Sequence, residues 1–231
     1  MAAPTYHSYN PENGTYLGPM IAGIDPLESK VAGEPVYLGP PANAVTEAPL
    51  GAEANQIDVY NDGWQLVADH RGQEYYLADG SHHTITEIGI EPPADALAQR
   101  PETLQLADAK AAKLQELKQA CNDAIRAGIT SDSLGSAHFY ETENDVDQIN
   151  LIGAGMAGVD IHYTCTEAAT GSKAQRLHSA AQIKQVFMEG AAEKVRFLGI
   201  LYGLTDQLDA VEITTTLTAA LAVIEGIVWT E

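Results

Sequence analysis

The sequence predicts an α+β protein built in two parts, and three observations carry that prediction. Pro and Gly concentrate in the first 98 residues, where apolar and polar side chains alternate at the two-residue period of strands. One amphipathic run then spans Pro101 to Gly128. Beyond it, apolar residues recur at three- and four-residue steps behind capping signals, broken by short strand-like pieces. The expected architecture is a small antiparallel β-meander with a Pro-rich extended arm over 1–98, and a helix-rich α+β domain over 99–231 opened by the long central helix.

In the first part, Tyr6, Tyr9, Tyr16 and Leu17 flank Asn10-Pro11-Glu12-Asn13-Gly14, a turn built on Asn-Gly. From Ala22 to Glu53 the chain holds Pro26, Pro35, Pro40, Pro41 and Pro49 and only short apolar pieces such as Val36-Tyr37-Leu38. Proline removes ladder donors and fixes φ, so this reads as extended chain lying on a surface or a partner, hard for a lone monomer to order. Four strands of a meander follow at Gln56–Tyr60, Trp64–Ala68, Glu74–Leu77 and Thr84–Ile88. Gly-bearing turns separate them, and Trp64, Leu66, Tyr75, Leu77 and Ile85 form the expected apolar face.

Pro101 suits the start of the long helix and Gly128 the left-handed residue past its end. Leu104, Ala107, Ala111, Leu114, Leu117 and Cys121, continued by Ala124 and Ile125, share one narrow, Ala-rich face. That stripe has two readings: a helix packed on its own C-terminal domain, or a self-association seam in an oligomer. Next come strand-like Ile129–Tyr140, then a helix capped by Asn144 or Asp145 and running to about Gly158. Strands are expected at Ile161–Thr166 and Lys173–Leu177. Ser179-Ala180-Ala181-Gln182 is a capping box opening a helix to Tyr202, closed by Gly203. Its inward face reads Ile183, Val186, Phe187, Ala191, Val195, Leu198 and Leu201. A threonine among 214–216 caps a last helix, with Leu217, Leu221, Ile224 and Trp229 in the core.

The charge balance narrows function. A formal net charge of -20 and a pI near 4.5 oppose binding to phosphate or to anionic lipid, so neither a nucleic acid nor a membrane partner is expected. No apolar run approaches the ~20 residues of a membrane span. Met1-Ala-Ala-Pro shows neither the basic nor the apolar region of a secretory signal, which points to synthesis in cytosol. There, Cys121 and Cys165 are expected as two buried free thiols.

Each motif that could carry chemistry has a plainer reading. Gly153-Ala154-Gly155-Met156-Ala157-Gly158 matches the dinucleotide fingerprint by letter, but an acidic segment precedes it and strand-like Val159–Thr166 follows. Close packing of a small-residue helix is the expectation instead. His82 and His83 are adjacent on a strand and point to opposite faces, and His162 with Cys165 lacks two further ligands. His178, before a helix cap, reads as a hydrogen-bonded structural residue. Glu141, Glu143, Asp145 and Asp147 do not follow the order of a calcium loop and read as a solvated turn at a helix start. No residue is assigned as catalytic, cofactor-binding or metal-binding, and the chain reads as a non-enzyme.

Two stretches carry a resemblance. Tyr9-Asn10-Pro11-Glu12-Asn13-Gly14-Thr15-Tyr16-Leu17-Gly18 with Asp25-Pro26-Leu27-Glu28, and Gly63-Trp64-Gln65-Leu66-Val67-Ala68-Asp69-His70-Arg71-Gly72, resemble modules of tailed-bacteriophage tail, tail-fibre and fibre-assembly proteins. In the second half, Asp147-Gln148-Ile149-Asn150-Leu151, a Cys-bearing strand and Leu177-His178-Ser179 before a long helix are similar to a domain of unknown function that ends many such proteins. Ala168-Ala169-Thr170 departs from that pattern, which often has an aromatic residue there. The resemblance implies a structural component of a phage tail, at the distal tail, baseplate or fibre, made in the host cytoplasm and located in the virion tail. It implies partners among other tail proteins and a homo-oligomer, with trimers favoured. Alternatives are a tail-fibre assembly chaperone and, third, an enzymatic or receptor-binding tail protein.

Overall fold

The computed structural model of the chain describes residues 2–230 and has the α+β architecture, with small antiparallel sheets and a helical C-terminal part. It divides into two compact units between Pro101 and Glu102, at the first residue of the long helix.

The first unit opens with a hairpin of β1 (Thr5–Tyr9) and β2 (Tyr16–Ile21). Asn10 turns it, its side chain accepting from the Glu12 amide at 2.8 Å. Gly14, at φ 73°, ends the turn against the backbone of Tyr60, where a Cβ would lie 2.5 Å from the carbonyl oxygen. Only glycine permits both the angle and the approach. A second hairpin, β4 (Gln56–Tyr60) with β5 (Trp64–Ala68), meets the first there. Tyr9 stacks on Tyr60 at 4.7 Å, and the Tyr16 and Trp64 rings meet edge to face at 5.4 Å.

The proline-rich stretch departs from expectation in two ways. A helix, α1 (Pro26–Ala32), interrupts it. Asp25 accepts from the amides of Leu27 and Glu28, Pro26 takes the first helical position, and Gly33 closes the turn at φ 71°. Start and stop chemistry thus outweighs the density of breakers nearby. The stretch also lies on its own unit rather than waiting for a partner. Strand β3 (Ala44–Val45) pairs with β1. Tyr6 donates to the Leu38 carbonyl at 2.7 Å, and the Trp64 indole to that of Glu47 at 2.9 Å. Buried Asp58 accepts from the amides of Leu50 and Ala52, each at 2.9 Å. Side chains supply the partners that prolines deny the backbone.

The expected four-stranded meander is two separate hairpins. Strands β6 (Glu74–Tyr76) and β7 (His82–Thr84) pair with each other and not with β4 or β5, and Tyr76 also bridges to Leu97; the Asp69–Gly72 turn folds back onto Ile85 instead of leading into the β4–β5 sheet. Trp64 and Ile85 are buried, but Leu66 is exposed, since two strands offer no layer to cover it.

The second unit begins with α2 (Glu102–Arg126). Strands β8 (Ile129–Ser131), β9 (His138–Tyr140), β10 (Ile161–Glu167) and β11 (Lys173–His178) form an antiparallel sheet in the order β11-β10-β9-β8. Between β9 and β10 runs α3 (Asp145–Met156), capped by Asn144. After β11, Ser179 and Gln182 close the predicted capping box and start α4 (Ala180–Asp209). Thr216 caps α5 (Leu217–Gly226). One core joins Leu117, Leu208, Val211, Ala220, Ile224 and Ile227 across α2, α4 and α5. Another joins Tyr140, Leu151, Ala154, Cys165, Ile183 and Val186 across the sheet, α3 and α4.

The long C-terminal helix corrects the sequence reading twice. It passes Gly203 without a break, since packing against α2 continues to Leu208 and outweighs one glycine's propensity. Its buried face holds Ile183, Val186, Phe197 and Leu208, while Val195 turns outward. At 100° per residue, Val195 sits nearly opposite Phe197, so the two cannot share a face.

Candidate functional site

The stripe singled out on α2 divides along its length. Leu117 and Cys121 are buried in the chain's own cores, and Leu114 packs against the first of them. Leu104 is half-buried, whereas Ala107 and Ala111 are exposed. The C-terminal half of the stripe is therefore occupied by α4 and α5 within the chain. The apolar face was legible, but its occupant was a matter of which helices fold back on it.

Three groups whose titration is displaced by burial, Tyr140, Cys165 and His178, lie together beside α4. His178 is fully buried. Its Nδ1 donates to the Arg176 carbonyl at 2.9 Å, which leaves Nε2 to accept from the Tyr140 hydroxyl at 2.8 Å. Burial holds His178 below the ordinary histidine range, and burial pushes Tyr140 up to about 12. Cys165 is buried beside them with its thiol pushed up by desolvation, and Cys121 is shifted the same way. A thiol so placed is poorly nucleophilic. Neutral His178 uses both ring nitrogens on internal partners, so this cluster ties β9 to the end of β11, where α4 begins. His178 matches its expected structural role; the link to Tyr140 was invisible because 38 residues separate the pair. Both cysteines are free and buried, as expected.

The glycine-rich motif is the C-terminal half of α3. A Cβ on Gly155 would lie 2.5 Å from the Cβ of Phe187, so the motif lets α3 approach α4 closely. Gly158, at φ 68°, lies just beyond the helix end. Three of the four acidic residues are engaged: Glu141 pairs with Lys173 at 2.7 Å, Asp145 with Arg126 at 3.4 Å, and Asp147 accepts from the Asn144 amide group at 2.7 Å. His82, His83 and His162 are exposed. Among the described residues, no group of three or more His, Cys, Asp or Glu side chains is arranged to hold a metal ion.

What remains open to a partner is apolar surface. On α3, Val146, Ile149 and Met156 are exposed at helical spacing with Gly153 between them. Next to this face, a cavity of about 240 Å³ opens among α2, α3 and α4, lined chiefly by Ile125, Ile129, Leu151, Ile152, Phe187 and Phe197. Of its polar groups, Thr142 donates to the Ile125 carbonyl at 2.8 Å, Gln148 donates to that of Thr142 at 3.1 Å, and Glu193 pairs with Arg196, while Lys194 lies at its edge. Such a cavity suits an apolar side chain better than a polar substrate. In the first unit, α1 has no buried residue and exposes Leu27 and Val31, and edge strand β2 exposes Leu17 and Ile21. Among the described residues, no helix is long and apolar enough to cross a membrane.

Comparison with protein-family models, with curated proteins and with solved structures found no match.

Proposed function

We propose that this chain is an assembly protein, a structural component of the tail of a tailed bacteriophage, acting through protein–protein contacts at the distal tail, baseplate or fibre. The observation that carries the assembly reading is the exposed apolar face of α3 beside a cavity lined chiefly by apolar side chains. Contiguous apolar surface of this kind marks a partner site more often than a reaction site. The resemblance of the Tyr9–Gly18 and Gly63–Gly72 stretches to tail modules supports the phage assignment.

Quantitative mass spectrometry of purified particles tests it. A structural component appears in fixed proportion to the other tail proteins. Absence from particles, with co-purification of the fibre protein from lysate, makes the chain an assembly chaperone. Absence from both overturns the tail assignment. Met156→Glu, on the exposed face, should lower incorporation without loss of fold.

A further inference from the structure

The outward face of α4 carries a second stripe that the fold leaves uncovered. Met188, Val195 and Tyr202 are 54, 70 and 64 % exposed and stand seven residues apart. Ala192 and Gly199, both exposed, fall between them. The spacing Met188–Ala192–Val195–Gly199–Tyr202 alternates four and three residues, the heptad pattern of a helix–helix seam. The small residues on either side of Val195 leave room for another backbone to approach.

The charges at the two ends of this face identify the occupant. Lys184 and Asp206, both exposed, lie on the same face, eleven residues before and after Val195. Neither side chain has an ion-pair partner among the described residues. In an antiparallel pair of identical helices centred on Val195, residue positions equally far from the centre face each other. Met188 then meets Tyr202 of the second copy, and Lys184 meets Asp206, with each contact made twice. A parallel pair sets Lys184 against Lys184 and Asp206 against Asp206. Opposite charges set orientation more than strength.

We propose that α4 is a self-association helix, which joins two copies of this chain antiparallel about a two-fold axis at Val195. The seam from Lys184 to Asp206 is about 33 Å long at the α-helical rise. Its apolar rungs supply the affinity, and the two Lys184–Asp206 pairs select the register. This seam is separate from the α2 stripe, whose C-terminal half is filled by α4 and α5. The contact holds whether or not the chain belongs to a phage tail.

Sedimentation equilibrium of the full chain is expected to give a concentration-dependent mass reaching twice 24.6 kDa. Val195→Asp should raise the dissociation constant at least ~10-fold, the scale of losing a central apolar anchor. Its circular dichroism should not change, because Val195 is exposed in the single chain. Lys184→Asp should weaken association a few-fold, and adding Asp206→Lys should restore it. Orientation is read separately by oxidation. A mixture of Met188→Cys and Tyr202→Cys chains should form a disulfide-linked pair, while Met188→Cys alone should not; Cys121 and Cys165 are buried and do not compete. A monomer at every concentration, a trimer, or self-linking of Met188→Cys alone would each overturn the proposal.

Discussion

The two units of this protein reach order by different means. In the C-terminal unit, apolar side chains from α2, α4, α5 and the sheet interlock in continuous cores around Leu117, Ile183 and Val186. In the N-terminal unit the buried apolar residues are Tyr6, Ala22, Ala44, Trp64 and Ile85, two of them alanines. Hydrogen bonds from side chains to distant backbone groups, made by Tyr6, Asp58 and Trp64, hold the prolines in place there instead. Apolar burial scales with area and tolerates small shifts, whereas a buried hydrogen bond fails once one partner is lost. The second unit should therefore break through its cores and the first through single polar residues.

The largest effect is expected from Leu117→Asp. It places a carboxylate where the leucine is 1 % exposed, beside Leu208 and Ile224. A loss of about 4 kcal/mol or more follows from an unpaired buried charge, read as a collapsed urea midpoint. Leu114→Asp, at the partly buried edge, should cost clearly less. Equal, small effects from both would mean that the α2 stripe is not core.

Asp58→Ala is the corresponding test of the first unit. It leaves the amides of Leu50 and Ala52 without their acceptor, and the loss of two hydrogen bonds implies a cost of about 2–3 kcal/mol. Amide exchange should accelerate around 47–54 while the C-terminal helices keep their protection. Unchanged exchange there would show that the prolines alone order the stretch.

A smaller effect separates the units by pH. The folded protein holds His178 below its ordinary value of 6.5. Above about pH 6.5 both states carry the neutral ring and its full contribution is present. As pH falls, the unfolded chain takes up the proton first, so stability is lost toward the folded value, by at most ~1.4 kcal/mol per pH unit. Tyr140, pushed up to about 12, works at the other end: the folded state keeps its proton longer, so stability is lost as pH rises from about 10. Urea midpoints across pH should show the acid limb, and His178→Gln should flatten it. An unchanged limb would place the titration elsewhere.

The smallest expected change is Ser179→Ala. Removing the capping hydroxyl from the Gln182 amide should cost about 1 kcal/mol, read as a small fall in melting temperature. Ser29→Ala, whose hydroxyl both donates to and accepts from Val36 in the first unit, gives the matched comparison.

Local chemistry was the most legible part of the chain. Ser179 with Gln182, Asn144, Thr216 and the turns at Asn10–Gly14 and Asn61–Gly63 announce themselves because a cap or a turn is satisfied within a few residues. For the same reason Asp25-Pro26 marks a helix start that the surrounding prolines obscured. The glycine motif was readable in kind, as close packing, but its neighbour Phe187 was not.

By itself, then, the sequence determined the α+β class, the helix starts, the long apolar stripe of α2 and the acidic surface, all set by neighbours within one or two turns. Only the tertiary structure decided that the C-terminal half of this stripe is filled from within, that Tyr140 reaches His178, that the meander splits into two hairpins, and that α4 runs past Gly203 with Val195 facing out. Those outcomes depend on which surfaces meet across many intervening residues. Periodicity states that a face must be covered, but the loops and packing volumes that bring segments together settle what covers it.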